Sequence, residues 1–512
     1  MDALQILCAP FLFLAFYIIT YHFFHKLRNH PPSPFPALPI IGHFYLLSQP
    51  FHRALNKISN RYGPVLLLKF GSRPVLLVSS PSAAEECFTK NDVVLANRPK
   101  FLGGKIFGYE YTSLAWSSYG EHWRNLRKLS TMEVLSAHRI QLLSEIRVDE
   151  AESLIRRLFR SSQNTSDNMV EVKSAVYDYT FNIITRMITG KSFYGEKVEN
   201  AVEAKHYKEI GDETTKLVIQ SGVLDYFPVL KWVGYKGIVK KMEKMKVRRT
   251  QFMRNLLEQH RQKVKSNGGG EDGGKKKTIL EILMDLQKET DADYYSDDNI
   301  ISLLYVLLQA GSETSATTLE WAFSYLLENP RIMKKARAEL DLQVGHSRLV
   351  EESDMGKLPY IRCIINETLR LQPAAPLLVP HFSGEECSVG GYRVPKGTIV
   401  LVNAWGIQRD PKVWEDPETF IPERFERFKN SKDQAFKFLA FGSGRRSCPG
   451  ENLAYRVVEL ALGLLLQCFD WENPSKETID KTDSSGFIAV KLTPLIAKCS
   501  PRPEMVTTLS QI

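Results

Sequence analysis

The sequence predicts a mainly helical protein with small β-sheets, an α+β chain whose body is a single large domain. Three observations carry that expectation. The 32 residues from Ser296 to Leu327 read as one helix, and within it "IISLLYVLLQA" is apolar nearly all round. Such a helix crosses an interior instead of lying on a surface. From Pro81 to about residue 330 the signal is mainly helical, and β-patterned runs are short and confined to the flanks. At ~1.5 Å per residue the long helix spans roughly 48 Å, the width of a large domain. That outweighs the length prior, by which 512 residues suggest about three domains of ~150 residues each.

In chain order, Leu4–Phe24 is about 20 largely apolar residues, enough to cross a bilayer as a helix. Asp2 precedes the run while Lys26 and Arg28 follow it. The positive-inside rule then leaves the amino end outside the cytosol and everything after His25 inside it. Residues 1–25 are therefore expected to be a retained transmembrane anchor and 26–45 a hinge, since the prolines of "HPPSPFPALPIIGH" favour extended chain. Residues 46–512 form the body. "GPVLLLKFGSRPVLLVSS" reads as two strands around a Gly-Ser turn. "SNGGGEDGGKKK" (266–277) reads as a mobile charged loop. Its Gly269-x4-Gly274-Lys275 lacks both the following Ser or Thr and the preceding strand that phosphate binding needs.

Ser296, Asp297 and Asp298 supply a cap and negative charge at the start of the long helix, and Asn329-Pro330 stops it. Strands return in "PLLVPH" and "GGYRVPKGTIVLVNAW", and a last helix runs from Asn452 to about Phe469.

Composition is that of an ordinary folded chain, 43% hydrophobic and 24% charged. The net charge of +9 is mild, and no basic stripe interleaved with aromatics appears, which speaks against nucleic acid and for an anionic membrane surface or acidic partner. Seven scattered cysteines with no C-x-x-C pair argue against disulfides and against a cysteine zinc site, and for a reducing compartment.

Only Cys448 has distinctive surroundings, "FLAFGSGRRSCPGENLAYR" (438–456). Arg445, Arg446 and the start of a helix would lower a thiol pKa, Pro449 suits a helix opening, and Gly442, Gly444 and Gly450 allow close approach of something flat. From these residues alone Cys448 reads as a half-buried thiol in a glycine turn, a nucleophile, or a ligand. A nucleophile needs a base; the loop holds no histidine, and His381 is the candidate nearest to it in the chain.

The spacing Phe441-x-x-Gly444-x-Arg446-x-Cys448-x-Gly450 resembles the haem-binding loop of the cytochrome P-450 monooxygenases. Glu367-Thr368-Leu369-Arg370 is similar to the family's E-x-x-R pair, and Pro422-Glu423-Arg424-Phe425 to the segment that completes a buried network with it. Ala310-Gly311-Ser312-Glu313-Thr314 resembles the oxygen-activating segment, and Trp123-x-x-x-Arg127 the helix that holds a haem propionate.

The resemblance covers essentially the whole chain. It implies haem b ligated through Cys448, O2 as co-substrate, and electrons from NADPH through a separate NADPH–haemoprotein reductase. It further implies an endoplasmic reticulum membrane location with the catalytic domain cytosolic. Glu313 and Thr314 would move protons. Trp123, Arg127, Ala310, His381, Phe441, Arg446 and Gly450 would contact the cofactor, and Gly311 would let the helix open locally. Arg124, Arg127, Lys128 and the basic residues of the cysteine loop, Arg445 among them, would form the reductase face.

"FGSGRRSCPG", "PERF" and "NETLRLQPAAPLLVPHFSGEEC" together resemble plant microsomal members, and in particular the subgroup that includes isoflavone 2'- and 3'-hydroxylases. Its substrate-contact regions fall on Phe107, Trp116, Ser117, Val306, Leu307, Ala375, Leu378, Val379 and Phe487. These are nearly all apolar or aromatic, as suits a small hydrophobic metabolite such as a flavonoid, isoflavonoid, lignan, indolic compound or terpenoid. The expected reaction is hydroxylation. The alternatives are ring closure, methylenedioxy-bridge formation or dehydration on the same haem, and, more distantly, haem binding without turnover.

Overall fold

Ser296 Oγ accepts the N–H of Asn299 and opens the central helix, Asp297–Glu328, with two acids in its first turn. The computed structural model describes residues 3–164, 167–195, 201–232, 236–266, 277–289, 295–428, 434–475, 477–484 and 486–512. The glycine-rich part of the 266–277 segment lies outside the described residues. Every residue of the central helix from Ser315 to Leu326 is buried, so it runs through the core on all faces. Burying side chains such as Phe323 and Leu326 contributes roughly 1.5–3 kcal/mol each. Val172–Thr189, Pro359–Leu371 and Glu451–Cys468 are among the helices that pack on it.

The two strands expected around Gly71-Ser72 are present as Val65–Phe70 and Arg73–Val78, antiparallel, with Gly71 at φ +57°. Arg73–Val78 then pairs in parallel with Ile399–Val402, which pairs antiparallel with His381–Phe382. This four-stranded sheet ties the amino-terminal region to residues some 300 positions away and fixes where His381 stands. The expected strand in "PLLVPH" is mostly a turn. Leu378 has φ +52°, Pro376 O accepts from Trp405 N–H, and neither proline has an N–H to give a ladder. Only His381 joins the sheet.

A 25-residue helix, Ala3–Leu27, forms at the amino end. Its outer residues from Phe11 onward are largely exposed, Phe11 being 72% and Phe16 69% exposed. Tyr17 Oη and His22 Nε2 meet Lys69 Nζ and Ala37 N–H, at 3.1 and 3.4 Å, at the base of the proline segment. Among the described residues no helix is long and apolar enough to cross a membrane. The helix predicted there is present, but the membrane span is not shown.

Candidate active site

The cysteine loop is a tight glycine turn. Cys448 N–H donates to Phe441 O at 2.9 Å, and Gly442 and Gly444 have φ +69° and +71°. A side chain on Gly444 would also meet Asp92 Oδ1 at 2.7 Å. Gly450, not Pro449, caps the helix Glu451–Cys468, so the sulfur sits at that helix's amino end.

The free surface of Cys448 faces a cavity of ≈ 350 Å³ roofed by Val306, Leu307, Ala310, Gly311 and Thr314 of the central helix. Contrary to expectation, burial holds the thiol above its usual pKa, and Glu451 adds to this. The Gly450 N–H and Arg127 only oppose it. The two arginines beside it are otherwise engaged. Arg445 turns out to Asp92 (3.5 Å) and over Tyr119. Arg446 donates to Ala96 O (2.7 Å), Leu114 O (3.3 Å) and Ser117 O (2.5 Å), and stacks 4.2 Å over Trp123. A bound metal ion, by contrast, deprotonates a coordinating thiol outright.

One edge of the cavity gathers Arg98, Arg127, His381 and Arg446, and no Asp or Glu lines it among the described residues. Burial, then the neighbouring Arg98 and Arg127, depress the Arg446 guanidinium to about 8, with Asp92 pulling the other way. Burial alone takes Arg98 to about 9. Arg127 is lowered by burial. His381 falls well below its ordinary value through burial and Arg98, its Nδ1 lying 3.0 Å from Leu95 O. Depressed cations without a carboxylate mark a site built to take up negative charge.

Arg98 escaped sequence reasoning. It clamps Ala115 O (3.2 Å), Val379 O and Pro380 O (both 2.8 Å). Its neighbours Ala96 and Asn97 reach the site by bridging Phe382, a long-range contact with no local signature.

Other expected residues divide. Ala375, Leu378, Val379, Trp123 and Phe441 line the cavity with the central-helix residues. Thr314 also lines it, its Oγ1 donating to Ala310 O at 2.6 Å. Glu313 does not line it and pairs with Lys173 at 2.8 Å on the neighbouring helix. The helix is continuous through Gly311, where an added side chain would come within 2.8 Å of Ile184 Cδ1. Phe107, Trp116, Ser117 and Phe487 lie outside the cavity wall. Phe107 sits under Arg249 (5.2 Å), Trp116 meets Phe487 edge-on at 6.3 Å, and Ser117 contributes its carbonyl to Arg446.

Behind the loop lies a buried charge network. Glu367 and Arg370 have no exposed surface and make two hydrogen bonds, at 2.7 and 2.8 Å. Arg370 also donates to Gln408 O, Pro417 O and Thr419 O. Arg424 Nε reaches Glu367 at 3.2 Å, and Ile421 N–H reaches it at 2.9 Å. Gln408, also missed by sequence reasoning, carries the network onward, its Oε1 accepting Leu439 N–H at 2.7 Å. The E-x-x-R helix thus holds the start of the cysteine loop.

A cysteine sulfur open to an apolar cavity, with cations at its edge and no carboxylate in its wall among the described residues, suits an acidic prosthetic group that the sulfur would ligate. The chain belongs to the cytochrome P450 family, whose model matches residues 31–498. It is 45% identical to an isoflavone 2'-hydroxylase of Glycyrrhiza echinata (95% of this chain, 96% of the relative). It is 44% identical to an isoflavone 3'-hydroxylase of Medicago truncatula (93% and 94%). It is also 44% identical to (+)-piperitol/(+)-sesamin synthase of Sesamum radiatum (95% and 94%). A zebra fish cytochrome P450 solved with abiraterone superposes with TM-score 0.73 at 27% identity, covering 88% of this chain and 99% of that one. This chain is accordingly a cytochrome P450 monooxygenase.

Proposed function

We propose that the chain is a membrane-attached enzyme carrying haem b that hydroxylates a small hydrophobic plant secondary metabolite, using O2 and electrons from NADPH through a separate reductase. The observation that carries this reading is the meeting, in one cavity, of Cys448 Sγ and the counter-anion-free group Arg98, Arg127, Arg446 and His381. Cys448 would ligate the iron and the cationic edge would hold the acid groups of the macrocycle. Ala310 and Gly450 would leave room for it, and Trp123 and Phe441 would pack against it. When bound, haem supplies oxygen activation, which an anionic sulfur ligand favours.

The chain's own residues supply the rest. The apolar wall of Val306, Leu307, Ala375, Leu378 and Val379 excludes water and orients an apolar ligand. Thr314 holds a hydroxyl proton at the cavity edge, and Glu313, paired to Lys173 near the surface, would resupply it by side-chain rotation with water as carrier.

Similarity to isoflavone hydroxylases supports flavonoids and isoflavonoids as the first substrates to test, with lignans, indolic compounds and terpenoids next. The sesame relative favours a second reading, methylenedioxy-bridge formation or ring closure on the same haem. Turnover with a plant reductase and NADPH against a panel of these metabolites separates the two by product mass: one oxygen gained, or two hydrogens lost. NADPH oxidation that never couples to any product would leave a haem-binding protein without turnover.

Residues 1–25 are the proposed anchor in the endoplasmic reticulum membrane, 26–45 the hinge and 46–512 the cytosolic catalytic body. The bare aromatic surface of Ala3–Leu27 supports this. We expect the full chain to stay in the membrane pellet at high salt and alkaline pH, and deletion of residues 1–25 to weaken that retention sharply; release of the full chain by alkali would contradict it.

For reductase docking, Arg127 and Arg445 are less suited than expected, being engaged with Ser447 and Asp92. Arg124 and Lys128 remain exposed on the helix Glu121–Leu129. Reversing both charges should lower the reductase-dependent rate and flatten its salt dependence. Unchanged rate and unchanged salt sensitivity would remove these residues from the docking face.

A further inference from the structure

The central helix carries a second acid that the site described above does not use. Glu313, Thr317 and Glu320 follow at spacings of four and three residues, which sets them on one stripe of the helix. None of the three lines the cavity. Glu320 has no exposed surface, and Leu495 N–H donates to its Oε1 at 3.0 Å. Its Oε2 has no hydrogen-bond partner among the described residues. The same holds for the hydroxyl of Thr317, equally buried and one turn nearer to Glu313. Leu495 closes the stripe into a ring. Its carbonyl accepts Val172 N–H at 2.9 Å, at the start of the helix Val172–Thr189. The next residue, Lys173, holds Glu313 Oε1 at 2.8 Å.

A buried carboxyl with one bare oxygen avoids the cost of an uncompensated charge by keeping its proton. Burial raises the pKa of Glu320, and the charge of Glu313 adds to this. Leu495 N–H, Lys173 and Lys491 oppose it. Lys491 is engaged elsewhere: it donates to Asp480 O and lies 4.5 Å over Trp321. Lys173 is thus the cation that acts on both acids of the stripe, and it pairs with Glu313. Two carboxyls sharing one cation settle with one ionised and the other protonated. In this ring Glu313 is the ionised member and Glu320 the protonated one.

We propose that Glu320 is the proton store for Glu313, a positioning residue that acts on the reaction only through that partner. The proton leaves Glu320 Oε2 and reaches the Glu313 carboxylate by way of Thr317 Oγ1 and water. Glu320 is left ionised, and Lys173, its ammonium unchanged, turns from the newly neutral Glu313 to Glu320. Net charge in the ring is the same before and after. Glu313, released from its ion pair and carrying a proton, is then free to rotate toward Thr314. Glu320 regains its proton from solvent between turnovers. The use of the store rests on the proton role proposed above for Glu313; the protonated state of Glu320 does not.

Glu320→Gln is the test variant, because it keeps the side chain's shape and the acceptor for Leu495 and removes only the proton. At neutral pH the infrared spectrum of the full holoprotein should contain a carboxylic-acid carbonyl stretch, shifted in D2O, that Glu320→Gln lacks. In Glu313→Gln, where Lys173 is freed, rising pH should remove that band about one unit earlier than in wild type. On a panel metabolite that wild type oxidises, Glu320→Gln should lower kcat roughly tenfold at unchanged KM and enlarge the solvent deuterium effect. A Glu320 that merely accepts from Leu495 would leave kcat and that isotope effect unmoved in the glutamine variant, which overturns the store. Absence of the acid band, or the same titration in Glu313→Gln, overturns it as well. If wild type oxidises no panel metabolite, the monooxygenase reading fails separately and the infrared pair decides alone. A Glu313→Gln enzyme with wild-type kcat would remove the proton role of Glu313, and the store with it, whatever the state of Glu320.

Discussion

Arg370→Met is expected to abolish accumulation of haem-loaded protein. The substitution keeps the length and apolar stem of the side chain and removes the guanidinium. Five hydrogen bonds from Arg370 are lost, two of them to Glu367, and the Gln408, Pro417 and Thr419 carbonyls lose a donor. Glu367 is left with no exposed surface and only Arg424 and the Ile421 N–H for compensation. Stranding a buried charge in this way costs on the order of 3–5 kcal/mol, a large share of the stability of most folded proteins.

The damage also reaches the site, because the Gln408 carbonyl that Arg370 binds belongs to the residue whose amide accepts from Leu439 N–H at the start of the cysteine loop. Arg370→Lys should fail less completely, since a single ammonium restores the charge but not the fork. The measurement is the haem-loaded fraction of the expressed chain together with its thermal inactivation rate. A wild-type yield of loaded protein from Arg370→Met would show that the network is dispensable.

Features set by neighbours in the chain were legible in the sequence. Ser296 and its acids mark a helix start, the Gly71-Ser72 turn marks a hairpin, and the glycines around Cys448 mark a turn that few other residues could make. The E-x-x-R pair was legible because three residues along a helix is one face. Features set by the rest of the fold were not. Arg98 and Gln408 become site residues only because the sheet brings their surroundings to the loop. Glu313 and Thr314 read as a pair, yet adjacent helical residues point about 100° apart, so one faces the cavity and the other faces Lys173. The close approach of Gly311 to Ile184, on a helix more than a hundred residues earlier, has no local signature either. The cationic loop suggested an activated thiol; the arginines are spent on Asp92 and on carbonyls, and burial prevails.

That last point makes Cys448→Ser the second large effect. A thiol held above its usual pKa is a poor nucleophile at neutral pH, and the one imidazole in the cavity wall among the described residues, His381, lies at the cationic edge with its own pKa depressed. What the site offers is a sulfur that ionises when a metal binds it. Serine preserves the size and the turn, and its hydroxyl is a far weaker anionic ligand. Cys448→Ser should therefore fold, retain the Phe441 O hydrogen bond of its backbone, and lose monooxygenase turnover entirely.

The most direct measurement is the absorption spectrum of the reduced protein under carbon monoxide. Wild type should show the strongly red-shifted Soret band of thiolate ligation, and Cys448→Ser should show none of it. A wild-type protein without that band, or a Cys448→Ser variant that keeps it, would contradict the assignment of Cys448 as the iron ligand.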